Sequence, residues 1–138
     1  MGMLEGKRAI VTGASRGIGR AIALRLAREG AAVYLAADGT GDELRWAAAE
    51  CGRAGAKAAW GVFDLARKEG PGAVVAGAQE ALGGVDILVN NAGIRAPHRF
   101  GEFTPEDFDR LGAVNLRAPF LASQAVLPAM RAAGGGRI

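Results

Sequence analysis

The sequence predicts a doubly wound α/β domain, a parallel sheet covered by helices on both faces. Two observations carry this prediction: short apolar runs rich in β-branched residues recur along the chain, and the stretches between them space their apolar residues as helices do. A third is that each connection is long enough for the crossover that parallel strands require.

The first run, residues 8–12, contains Ile10, Val11 and Thr12 and ends at a glycine turn, as buried parallel strands do. Ile18, Ile22 and Leu26 then recur at helical spacing, with Arg20, Arg25, Arg28 and Glu29 turned outward and Gly30 as the C-terminal stop. Residues 32–37 read as the second strand, and 42–53 as a helix closed near Gly55. The third strand, 57–63, is bounded by Gly55 and Asp64; after a break at Gly70-Pro71-Gly72, residues 74–82 return to helical spacing. Residues 86–90 form the fourth strand.

Thr104-Pro105-Glu106-Asp107 is a helix start, with Thr104 as N-cap, proline at the first helical position and acids in the first turn. That helix is expected to run to about residue 133, before Gly134-Gly135-Gly136. It carries Phe108, Leu111, Leu116, Phe120, Leu121, Val126 and Leu127, more apolar surface than one face against a sheet can use, so a partner helix is expected. Arg137 and Ile138 look like the opening of a fifth strand. The fourth would otherwise be a hydrophobic edge, so the expectation is that further polypeptide or a second chain supplies its neighbour.

With 138 residues, half of them hydrophobic, one domain spanning 1–138 around a single core is expected. A net charge of +3 and a pI near 9.6 raise the question of nucleic acid. Arg20, Arg25, Arg28, Arg45 and Arg53, however, fall singly and mostly beside acids, as on solvated helix faces, so no nucleic-acid partner is expected. Cys51 is the only cysteine, which excludes an intrachain disulfide and a cysteine-rich metal site. No signal-peptide layout precedes residue 8 and no apolar run approaches the roughly 20 residues of a membrane span, so a cytoplasmic protein without a membrane partner is expected. Trp46 and Trp60 read as packing residues, and His98, beside Arg95, Pro97 and Arg99, as a solvated loop residue.

Between the first strand and first helix lies Thr12-Gly13-Ala14-Ser15-Arg16-Gly17-Ile18-Gly19. Its glycines depart from the G-x-G-x-x-G spacing, yet each retains a physical role. Gly13 permits a sharp turn, Gly17 removes a side chain where a diphosphate would approach, and Gly19 allows close packing of helix on strand. The helix amino end then offers free N–H groups and partial positive charge to an anion. Gly13, Asp38, Asp64 and Asn91 would converge at the carboxyl ends of the strands, where open parallel sheets bind ligands.

With Asn90-Asn91-Ala92-Gly93 closing the fourth strand, the chain is similar to the standard subgroup of the short-chain dehydrogenase/reductase family over its whole length. The resemblance implies a Rossmann fold and an NAD or NADP cofactor. It places Gly13, Ser15, Arg16, Gly17, Ile18 and Gly19 around the cofactor, Asp38 at the ribose, Asp64 and Leu65 at the adenine, and Asn91, Ala92 and Gly93 along the pocket. Asn115 matches the helix asparagine whose backbone carbonyl holds a water of the proton relay. Pro119, four residues on, has no N–H to offer that carbonyl.

The family's Tyr-x-x-x-Lys pair and serine are not in these 138 residues: Tyr34 is the only tyrosine, and Asp38 stands four positions after it. The expectation is therefore the N-terminal part of a longer NAD(P)(H)-dependent oxidoreductase interconverting an alcohol and a ketone, of 3-oxoacyl-reductase or sugar/polyol-dehydrogenase type. Residues 1–138 alone would bind nucleotide without reducing ketones; the alternative is a non-catalytic dinucleotide-binding fragment or sensor. The resemblance also implies a homodimer or homotetramer built on helix 105–133. Arg16 favours NADP and Asp38 favours NAD, while Ala37 occupies the usual place of the NAD-selecting carboxylate, so both cofactors stay open.

Overall fold

A computed structural model describes residues 2–138. The strands are β1 (Arg8–Thr12), β2 (Ala32–Ala37), β3 (Ala58–Val62) and β4 (Ile87–Val89), in the all-parallel order β3-β2-β1-β4. The helices are α1 (Gly17–Arg28), α2 (Asp42–Arg53), α3 (Gly70–Leu82), α4 (Pro105–Gly112) and α5 (Ala118–Ala132), the last two joined by a π-helical turn, Ala113–Arg117. A short 3-10 turn, Phe100–Glu102, precedes α4.

Side chains alternate across the sheet and build two cores. Ala9, Val11, Val33 and Leu35 pack with Ala23 and Ala27 of α1 and Leu44, Ala47 and Cys51 of α2. Ile10, Tyr34 and Leu88 point the other way, onto Val74 and Ala78 of α3 and Ala122 and Val126 of α5. The two layers of helices make this the doubly wound, Rossmann-like arrangement. Strand order reverses between β1 and β4, and that reversal opens a crevice at their carboxyl ends. Beyond β4, Arg137 bridges Ile87 in parallel: Leu88 N donates to Arg137 O at 2.9 Å and Arg137 N to Asp86 O at 3.0 Å.

Several local expectations need correction. The buried stripe of α1 is Gly19, Ala23 and Ala27, while Ile18 is 75% exposed, because small residues let the helix approach the sheet closely. Gly70-Pro71-Gly72 is no break but the first turn of α3, where the missing proline N–H costs nothing. Trp46 and Trp60 are both exposed, so neither is a core residue, although Trp60 does lie against Gly41. The helix over 105–132 is continuous only through its π-helical turn.

At the opposite end of the sheet Arg8 and Asp86 tie β1 to β4. Arg8 Nε and Nη2 donate to the two Asp86 carboxylate oxygens at 2.7 and 3.0 Å, and the Arg8 backbone N–H adds a 2.9 Å bond. The hydrogen bonds from Arg8 hold the Asp86 carboxyl below its ordinary value of 3.8. Its contribution to stability is therefore complete above that value and is lost as pH falls through the lowered folded value. Asp86→Asn is expected to cost about 2 kcal/mol at neutral pH. Below pH 4 its urea-denaturation midpoint should fall less steeply than that of the wild type; equal slopes would show that Asp86 does not titrate with folding.

Candidate functional site

Thr12, the last residue of β1, is 3% exposed and joins the two halves of the crevice. Its Oγ1 accepts the backbone N–H groups of Asn91 at 3.1 Å and Ala92 at 3.0 Å. The Asn91 side chain answers, its Nδ2 donating to the carbonyls of Thr12 at 3.1 Å and Gly13 at 3.2 Å. The turn after β1 and the turn after β4 are thus one hydrogen-bonded unit.

Three glycines shape the rest. Gly13 has φ +64°, and a Cβ there would stand 2.9 Å from the Ala92 Cα. A Cβ on Gly19 would stand 2.1 Å from the Gly13 carbonyl oxygen. Gly17, at φ +56°, has nothing within 4 Å of where its Cβ would be, so it faces open space. Behind it begins α1, with no side chain capping its amino end and no acid in its first turn. Its first N–H groups and the positive end of its dipole point into the opening.

The opening is a cleft of about 630 Å³, within the range of small-molecule sites. It brings together Gly13, Ser15, Arg16, Gly17, Ile18 and Gly19 from the turn, Asp38 after β2, Asp64 and Leu65 after β3, and Asn91, Ala92 and Gly93 after β4. The donor set, the side-chain-free approach at Gly17 and the volume all fit a dinucleotide. Asp64 lies in an Asx turn, its Oδ1 accepting the Ala66 N–H at 2.9 Å.

Asn115 does not line the cleft but braces it. Its Oδ1 accepts the Ile94 N–H and its Nδ2 donates to the Ile94 carbonyl, both at 2.8 Å, so it holds the loop after Gly93 as a backbone strand would. It lies within the π-helical turn, where Ala118 N donates five residues back to Ala113 O, and Pro119 has no N–H for the Asn115 carbonyl. His98 stays outside the cleft, half-exposed, with Nε2 3.7 Å from Asp107.

Sequence reasoning assigned no role to Thr12, and it missed Glu43, Phe63, Ile94, Arg110 and Val114, which also line the cleft. Their only available signal was position: Ile94 comes directly after the Asn-Asn-Ala-Gly segment, and Arg110 and Val114 lie one helical turn apart. Among the described residues no cluster of His, Cys, Asp and Glu could hold a metal, and no helix is long and apolar enough to cross a membrane.

A family model described as short chain dehydrogenase matches residues 7–138. Gluconate 5-dehydrogenase of Gluconobacter oxydans is 41% identical over 98% of this chain and 52% of that enzyme. D-beta-hydroxybutyrate dehydrogenase of Cupriavidus necator is 37% identical over 99% of this chain and 52% of that enzyme. The chain spans about half the length of the curated relatives it matches. Among solved structures, a metagenomic short-chain oxidoreductase in complex with NADP superposes with a TM-score of 0.89 at 42% identity, over 96% of this chain and 60% of that one. With its sheet order, its glycine turn and its Asn-Asn-Ala-Gly segment, the chain belongs to the short-chain dehydrogenase family, and it corresponds to the N-terminal half.

Proposed function

We propose that this chain forms the nucleotide-binding part of an NAD(P)(H)-dependent oxidoreductase interconverting an alcohol and a ketone. The observation that carries the reading is the uncapped amino end of α1 behind the side-chain-free Gly17, opening into a cleft that also gathers Asp64 and Asn91. A bound nicotinamide supplies hydride transfer.

The chain's own residues bind and orient. The N–H groups at the start of α1, with Ser15 and Arg16, hold the diphosphate; Ile18 and Gly19 shape the corner behind it. Asp64 and Leu65 face the adenine, and Asn91, Ala92 and Gly93 form the floor towards the reacting ring. The Asn115 carbonyl, lacking a proline N–H, holds a water that passes protons to the site. The gluconate and hydroxybutyrate dehydrogenases point to a small hydroxylated substrate, a sugar acid or hydroxy acid. Exposed Phe108, Leu116 and Phe120 along the 105–132 helix fit a second copy of the chain packing there.

Asp38 and Glu43 line the same cleft as Arg16, and their charge favours NAD(H) over a 2′-phosphate. Calorimetric titration with NADH and NADPH tests both levels. Saturable one-to-one binding is expected, and absence of binding by either nucleotide refutes the reading. Asp38→Ala is expected to tighten NADPH binding about tenfold; unchanged NADPH affinity removes Asp38 from the selection.

A further inference from the structure

Arg117 ends the π-helical turn and does not itself line the cleft. Its Nη2 donates to the carbonyl of Ala66 at 2.6 Å, joining positions 51 residues apart. Ala66 is the same residue whose N–H is held by Asp64 Oδ1 at 2.9 Å. The loop carrying Asp64 and Leu65 into the cleft is therefore gripped on both sides of one residue, from within by a carboxylate and from outside by a guanidinium.

Two features mark the contact as more than incidental packing. The bond is charge-assisted and hence stronger than a neutral one. Arg117 Nε is also buried without a partner among the described residues. A buried guanidinium nitrogen without a protein partner works against stability, which the charge-assisted bond to the Ala66 carbonyl offsets.

The position within the turn supplies the rest. Residues two apart on a helix do not face each other. Asn115 accordingly reaches the loop after β4, at Ile94, while Arg117 reaches the loop after β3, at Ala66. Ile94 and Leu65, on these two loops, both line the cleft. One irregular turn thus holds two walls of the same site, as π-helical segments often do where function needs a side chain re-aimed.

We propose that Arg117 is a positioning residue for adenine-nucleotide recognition: through Ala66 it fixes the wall formed by Asp64 and Leu65, completing a clamp that Asn115 begins on the opposite wall. The proposal rests on the nucleotide reading of the cleft and assigns it a residue outside the motifs.

The test uses ADP as probe and the full chain as protein. Arg117→Met keeps the stem and removes the donors. It is expected to weaken ADP binding about tenfold, the loss of one charge-assisted hydrogen bond, and to speed amide hydrogen exchange at Ala66. Because both side chains act through Ala66, the losses in the double variant with Asp64→Ala are expected to be less than additive. Arg117→Lys retains one donor and the charge, and is expected to fall between Met and wild type on both measures. If Arg117→Met does not fold, the lysine variant carries the test, and wild-type values for it overturn the proposal. Unchanged ADP affinity in Arg117→Met, or losses that simply add, overturn the clamp and leave the nucleotide reading standing. Failure of the wild-type chain to bind ADP removes both.

Discussion

Gly19→Ala is expected to abolish nucleotide binding and to lower stability by about 2 kcal/mol. Alanine is intrinsically the better helix former by about 1 kcal/mol, so the sign depends on what the new methyl meets. It would meet the Gly13 carbonyl oxygen at 2.1 Å, the Gly13 carbonyl carbon at 2.8 Å and the Asn91 Nδ2 at 2.5 Å. Two of these are backbone atoms and the third is already committed to two carbonyls, so none can swing aside. Overpacking of this kind costs about 1–3 kcal/mol and outweighs the helical gain. Relief requires moving the turn away from α1, which misaligns the N–H groups aimed at the opening. Urea denaturation and NADH titration check the two effects; a stable variant that still binds would show that the turn has slack.

Thr12→Val is the second large effect, with an expected loss of about 3 kcal/mol. Valine matches threonine in shape, so no cavity or clash confounds the result. The effect comes from removing the hydroxyl: the Ala92 N–H is stranded, at about 1–3 kcal/mol when buried and unpaired, while the Asn91 N–H keeps only its 3.1 Å bond to the Val89 carbonyl, which itself loses the Thr12 hydroxyl. Thr12→Ser keeps the oxygen and is expected to lose about 1 kcal/mol, the worth of a buried methyl. A valine variant as stable as the serine variant would show that the hydroxyl does not join the two turns.

The parts of this molecule legible in its sequence are those where periodicity and glycine chemistry act locally. The four strands and the helices between them arise from alternating apolar runs and from stops such as Gly30 and Gly55, both at positive φ. The turn from Gly13 to Gly19 and the segment from Asn91 to Gly93 meet in one cleft because both continue from strands of one parallel sheet.

The features that escaped the sequence depend on distance between elements. The face of α1 was misplaced because large apolar residues mark burial only where there is room for them, and here Ala23 and Ala27 allow the closest approach. Thr12 reads as an ordinary strand residue until the N–H groups of Asn91 and Ala92 arrive beside it. Pro119 marked the site of an irregularity without disclosing the extra residue in the turn, and Arg117 matched no motif because its partner lies 51 positions away.

That extra residue bears on how the long helix should be drawn. An α-helix advances 100° per residue, so one surplus residue rotates everything before residue 113 by roughly a quarter turn relative to the segment after residue 117. A helical wheel drawn through 105–132 as one cylinder superimposes two different bearings, although α5 by itself already carries apolar residues on two sides, with Phe120 and Leu127 left exposed. Drawn separately, α5 turns Ala122, Val126 and Met130 inward, whereas α4 buries none of its residues and leaves Phe108 outward. The two segments are angular neighbours on a dial rather than one stripe, and each offers its own direction to whatever packs against it.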